Sequence, residues 1–279
     1  MLAVALGLGS SLSWGLADFF GGLQSRRHPL LAVLLVSQVV ALALLAPVAL
    51  ALAGEAPSAS AAGWAALAGT AGCFALAAFY RGLAIGTMSV VAPVSATGAA
   101  VPVLVGVAEG ERPAALQVAG MVLALVGILL ASREASGDPG RRAGRASIGL
   151  AVLAAVGFGT FFVGVDRASA TADVPWVILI SRSCSLVLVA AAALVTRPAL
   201  PRGGALWPLA LVGVLDLAAN GLYAVATTEG LLSIVAVLSS LYPAVTVVLA
   251  RVVLAERVTR TQEAGVGATL AGVVAISAG

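Results

Sequence analysis

Two stretches, ERPAALQVAGMVLALVG (Glu111–Gly127) and ERVTRTQEAGVGATLAG (Glu256–Gly272), decide how the rest of the chain is read. They align at a constant offset of 145 residues, with Glu111/Glu256, Arg112/Arg257, Gln117/Gln262, Gly120/Gly265 and Gly127/Gly272 coinciding. The match extends outward. GLGSSLSWGLADFFGG (Gly7–Gly22) aligns with GLAVLAAVGFGTFFVG (Gly149–Gly164), sharing a Phe-Phe pair. Between these, VSQVV (Val36–Val40) aligns with ISRSC (Ile180–Cys184) at an offset of 144. The repeat covers the whole chain.

Composition says where this duplicated unit lives. Of 279 residues, 61% are hydrophobic and 10% charged, and the mean hydropathy is +1.11. Soluble domains run about 45–50% apolar and about 25% charged, so the chain is a membrane protein throughout. All 15 basic residues are arginine, set singly between apolar runs rather than on one basic face, and no nucleic-acid partner is expected. Cys73 and Cys184 lie inside apolar runs and read as small core residues, not as a disulfide or metal pair. No basic stretch precedes the first apolar run, so no cleavable signal peptide is expected.

A membrane-spanning helix needs about 20 mostly apolar residues. Ten such runs are expected, at 2–22, 30–52, 63–82, 87–108, 113–132, 147–166, 174–196, 205–228, 231–253 and 261–278. The polar stretch SREASGDPGRRAGRAS (Ser132–Ser147) has the Gly, Pro and charge content of a linker. It divides the chain into a first repeat (1–132), a linker (133–146) and a second repeat (147–279). Five is odd, so the second repeat enters the membrane from the opposite side. The expected fold is an all-α membrane protein of ten transmembrane helices arranged as two inverted five-helix repeats. Secondary transporters are built this way, with substrate sites near the midplane between the repeats.

Polar residues inside the spans mark the candidate site. Arg182 sits in the middle of VILISRSCSLVLV (Val177–Val189), about 13 Å deep at about 1.5 Å per residue. An arginine there costs roughly 2.5–3.5 kcal/mol and usually faces the protein interior or a water-filled cavity. Three readings are open: an ion pair with Asp216 tying helices together, a cavity wall meeting substrate, or a side chain reaching for the interface. Asp216, Asn220, Tyr223 and Thr227 share one helix face, as do Ser11, Trp14 and Asp18. A polar face against lipid would leave each group unsatisfied, so such stripes suggest a cavity. Asp18 and Trp14 also suit an interfacial position, and Trp64, Trp176 and Trp207 read as interface-belt residues. Ser95 and Ser239 align in the Pro-containing segments Ser89–Pro102 and Ser233–Val245, where packing and cavity lining are both open. Tyr80 completes the candidate set of Trp14, Asp18, Tyr80, Ser95, Arg182, Asp216, Asn220, Tyr223 and Ser239. There is no phosphate loop, metal-ligand cluster or activated nucleophile, and the single histidine, His28, falls in a loop. No enzyme activity, cofactor or metal is expected.

Trp14-Gly15 late in the first helix, Arg182, Pro243 in the ninth, and Glu-Arg…Gln…Gly before the last helix together resemble the EamA group of the drug/metabolite transporter superfamily. The resemblance covers essentially the whole chain. It implies a ten-helix transporter, commonly an exporter of amino acids or related metabolites. Two positions depart from the pattern: Gln38 stands where the first repeat would match Arg182, and Ala99 aligns with Pro243 while Pro93 and Pro102 flank it. The expectation is a secondary transporter of a bacterial inner (plasma) membrane, exporting a small polar metabolite by alternating access. A zwitterion suits the residues, with Arg182 on a carboxylate, Asp18 or Asp216 on an ammonium, and Trp14 and Tyr223 on the apolar part. An intramembrane acid also allows proton coupling. The rivals are uptake of a neutral solute such as a sugar, with structural charges, and a membrane scaffold that transports nothing. Ten helices can close their own cavity in the bilayer, so a monomer or weak dimer is expected.

Assigning loops alternately to two sides puts Arg26, Arg27, Arg81, Arg133, Arg141, Arg142, Arg145, Arg197, Arg202, Arg257 and Arg260 on one side, and Arg112 and Arg167 on the other. Arginine-rich loops are cytoplasmic, which places the N-terminus outside and the central linker in the cytoplasm. The family resemblance implies an inside N-terminus. Gly137→Cys, with Cys73 and Cys184 replaced by Ala, separates the two. Blocking by permeant thiol reagents only is expected, and blocking by an impermeant reagent reverses the orientation.

Overall fold

The computed structural model describes residues 2–52, 54–110, 113–131, 141–229, 241–256 and 259–278. Among the described residues there are helices and no strands. In chain order they are α1 (Leu2–Arg27), α2 (Leu30–Leu52), α3 (Ala59–Ile85), α4 (Met88–Ala96), α5 (Ala100–Ala108), α6 (Ala115–Ala131), α7 (Arg141–Ser169), α8 (Val174–Thr196), α9 (Leu206–Glu229), α10 (Tyr242–Val253) and α11 (Arg260–Ala278). Ala and Leu favour this outcome locally. Hydrocarbon enforces it, because a helix satisfies its own backbone groups where no water can.

Among the described residues, six helical stretches are long and apolar enough to cross a membrane: Leu30–Leu52, Ala59–Ile85, Met88–Ala108, Gly144–Ser169, Val174–Thr196 and Gly203–Tyr223. Ala115–Gly127 and Tyr242–Val253 are shorter apolar helices. α1 has 26 residues but carries Ser10, Ser11, Ser13, Trp14 and Asp18, which dilute its hydropathy. The run expected at 87–108 is broken by a 3₁₀ turn at Thr97–Ala99. Pro102 lies just past this turn and has no N–H for the Gly98 carbonyl. Of the run expected at 231–253, residues 231–240 lie outside the described residues. α7 begins at Arg141, and residues 132–140 lie outside the described ones.

The two repeats interlock by equivalent contacts. α3 packs along α7, and α9, the counterpart of α3, packs along α1, the counterpart of α7. α3 crosses α8 where Gly69 lies on the Ser181 carbonyl; α9 crosses α2 where Gly213 lies on the Ser37 carbonyl. These positions differ by 144 residues in both helices. Ser37 Oγ donates to Leu34 O (3.1 Å) and Ser181 Oγ to Ile178 O (3.0 Å), again equivalent positions. Only glycine allows such backbone-on-backbone approach, a recurrent way of packing membrane helices.

Repeat partners also meet each other directly, and they run antiparallel. A Cβ on Gly120 of α6 would stand 2.8 Å from the Gly272 carbonyl of α11, while Gly127 faces Gly265 and Thr269. Gly54, beyond the end of α2, donates its N–H to Asp173 Oδ2 (3.2 Å) at the start of α8, and Trp176 Nε1 donates to Gly54 O (3.2 Å). At one end of the molecule Glu256 caps α4: its carboxylate accepts from the N–H groups of Met88 (3.1 Å) and Ser89 (3.0 Å) and from Ser89 Oγ (3.1 Å). Arg26 bridges Glu256 (3.2 Å) and the carbonyls of Leu83 (3.1 Å) and Gly86 (3.0 Å). A second pair between the repeats joins Arg167 to Glu109.

Gly213→Val drives a branched side chain into the Ser37 backbone. Overpacking of this kind costs about 1–3 kcal/mol. A lowered melting temperature in detergent is expected for Gly213→Val, and an unchanged one for Gly267→Val, whose Cβ would meet open space. Equal melting of the two contradicts the close crossing.

Candidate functional site

A cavity of about 150 Å³ lies between the repeats. Four of its polar lining residues come from α1 and α9, which pack together: Trp14 and Asp18 from α1, Asp216 and Asn220 from α9. α8 adds Ser181, Arg182 and Ser185, and α2 adds Gln38. Its apolar lining comes from the equivalent pair, α3 and α7: Leu76 and Phe79 from the first, Phe158, Phe161 and Phe162 from the second. Equivalent helices therefore carry opposite chemistry. In the alignment of α1 with α7, Trp14 matches Val156, Leu16 matches Phe158 and Asp18 matches Thr160.

Arg182 does not reach for the interface. Its Nη2 lies 2.6 Å from Asp216 Oδ2, with 18% and 27% of the two side chains exposed. The pair is partly open, and both residues line the cavity. The ion-pair and cavity-wall readings of Arg182 thus describe one geometry. Asn220 Nδ2 donates to the Asp216 carbonyl one turn back (2.6 Å), holding its amide along the α9 stripe.

Trp14 packs against other aromatic side chains at the cavity wall. Its ring centroid is 5.8 Å from Tyr223, tilted by 43°, and 6.2 Å from Tyr242, edge-on at 67°. Tyr223 thus stands behind Trp14 while Tyr242 reaches the cavity wall. Tyr80 is buried against Phe79, with its phenol over Gly21, and is not among the lining residues. Ser95 is also buried; its hydroxyl turns back to the Ala92 carbonyl (2.8 Å) and away from the cavity. A serine in a kinked apolar helix satisfies itself this way when nothing polar faces it. Ser239 lies outside the described residues.

Sequence reasoning passed over Gln38, Tyr242, Ser181, Ser185 and the phenylalanine wall. A signal was present: the Phe-Phe pair common to both repeats marks Phe161 and Phe162. Among the described residues no cluster of His, Cys, Asp and Glu could hold a metal ion.

A family model for EamA-like transporters matches residues 1–133 and 145–278. The chain belongs to the EamA-like transporter family. The two matched segments correspond to the two repeats. The fold of this EamA-like transporter is also seen in a solved crystal structure that is 16% identical, with a TM-score of 0.63, covering 98% of this chain and 95% of that one. No curated protein matches the chain in sequence. EamA membership together with the apolar helices makes this a multi-pass membrane protein, and a transporter implies a small-molecule substrate in a lipid environment.

If Arg182 and Asp216 hold α8 to α9, removing one partner strands the other. A cycle of Arg182→Gln, Asp216→Asn and the double variant, read by thermal unfolding in detergent, is expected to give a coupling of about 0.5–3 kcal/mol. Additive effects contradict the pairing.

Proposed function

We propose that this EamA-like transporter carries a small zwitterionic metabolite with an apolar side chain, such as an amino acid, by alternating access between two inverted five-helix repeats. The observation that carries the proposal is the divided cavity, with one guanidinium and two carboxylates beside a wall of phenylalanines. Arg182 would meet the substrate carboxylate, Asp18 or Asp216 its ammonium group, and Trp14 with the phenylalanines its side chain. Arg182 would exchange part of its contact with Asp216 for the substrate, so binding would loosen the tie between helices. The antiparallel packing of α6 on α11 and α2 on α8 supports the inverted arrangement. Ten crossings, with repeats at 1–132 and 147–279, complete this reading. Export from a bacterial inner membrane, with a proton available to the carboxylates, follows the family pattern.

One observation favours a second reading. The Arg182–Asp216 pair is closed on itself at 2.6 Å, which suits a cavity for a neutral solute with structural charges. On that reading the swap Arg182→Asp with Asp216→Arg restores both stability and transport.

Thermal unfolding of the purified chain in detergent, against amino acids, amines, sugars and nucleosides, tests the proposal. A ligand at 100 times its Kd stabilises by about 2.7 kcal/mol. An amino acid is expected to raise the melting temperature of the wild type and not of Arg182→Gln or Asp216→Asn. Normal transport by both Asp18→Asn and Asp216→Asn would sink charge recognition.

A further inference from the structure

Gln38 stands at the position equivalent to Arg182, on the helix equivalent to α8. The matched Ser37 and Ser181 hydroxyls bond back to equivalent carbonyls, so the two backbones are alike where the side chains differ. Gln38 is 5% exposed and lines the cavity. Its Nε2 donates to Ser185 Oγ at 2.7 Å, one turn along α8 from Arg182. Its Oε1 is buried and accepts no hydrogen bond from the described residues.

An amide oxygen withdrawn from solvent without a donor is a standing penalty. A leucine or methionine would fill the position without it. The Ser185 bond occupies the amide nitrogen and leaves the oxygen as the spare group. Gln38 thus brings an unused acceptor to a cavity wall whose other acceptors are carboxylates.

We infer that Gln38 is a specificity-determining residue whose Oε1 accepts an N–H from the substrate's amino group, selecting substrates that carry such a donor. The inference rests on the amino-acid reading above. Asp18 and Asp216 supply charge and can also accept from an ammonium, so preference for an N–H in the wild type is shared among the acceptors, and the part due to Gln38 is read from its variant.

Three probes separate these contributions: L-leucine, its N,N,N-trimethyl analogue, which keeps both charges but has no N–H, and 4-methylpentanoate, which lacks the amino group. Binding of each is measured on purified full-length wild type and on Gln38→Met, which preserves bulk and removes the acceptor. Wild type is expected to prefer leucine to the trimethyl analogue. Gln38→Met is expected to lose about tenfold or more in leucine affinity, as for a hydrogen bond to a charged group. Its affinity for 4-methylpentanoate stays unchanged, which also shows that the variant is folded. Leucine binding equally well to Gln38→Met, or weakening of all three probes together, overturns the role of Gln38 while leaving the amino-acid reading intact. A wild type that binds 4-methylpentanoate but not leucine overturns it as well. A wild type that binds none of the three removes the amino-acid reading and this inference with it.

Discussion

A guanidinium halfway along a membrane helix has lost its water, and arginine cannot escape by giving up its proton. At roughly 2.5–3.5 kcal/mol for the transfer, the charge must be met where it stands. Arg182 is met by Asp216 on a different helix, 2.6 Å away, at the wall of a cavity. That requirement constrains the neighbours. α2 packs against both α8 and α9, so the helix shared by the two ends of the ion pair is also the one that carries Gln38. Close crossing at Ser37 and Ser181 needs a residue without a side chain opposite each, and Gly213 and Gly69 supply it. The polar centre and the glycine crossings are thus one solution to one problem.

Duplication supplied the frame, and divergence supplied the chemistry. Equivalent backbone contacts survive in both repeats, down to the serine hydroxyls that bond back to Leu34 and Ile178. The side chains on the equivalent helices have parted: acids, an amide and a tryptophan on α1 and α9, phenylalanines on α3 and α7. A site on an unbroken two-fold axis would present the same groups twice. Here one side suits charge and the other suits hydrocarbon, so a bound molecule with two unlike ends has one preferred orientation.

Much of this was legible in the sequence, because periodicity and duplication are properties of residue order. The repeat showed which helices are equivalent, and the spacing of Asp216 and Asn220 put both on one helix face, the one that lines the cavity. The rest depends on how each helix is rotated within the bundle. Phe79 and Phe158 are indistinguishable by residue type from Phe74, which is exposed on the outside, so no apolar pattern told wall from lipid face. Ser95 resembles Ser181 in sequence, and both hydroxyls bond back to a carbonyl three residues earlier, yet only Ser181 lines the cavity; helix rotation, not residue type, separates them. Gln38 registered only as a departure from arginine; its unpaired oxygen emerges only when Ser185 of the other repeat is brought alongside. α7 runs back to Arg141, through charged residues whose composition reads as linker.

The charges of the cavity belong to the protein frame, one guanidinium against two carboxylates. They stay behind whichever way the solute leaves. A passenger with one charge of each sign adds nothing to the total that crosses, so the membrane voltage does no work on it. A proton exchanged for it would make the same cycle electrogenic, at about 2.3 kcal/mol per 100 mV. If the passenger is the zwitterion proposed above, the available drive is its own concentration gradient or a proton moving inward in exchange for it, and the voltage has no hold on the solute by itself.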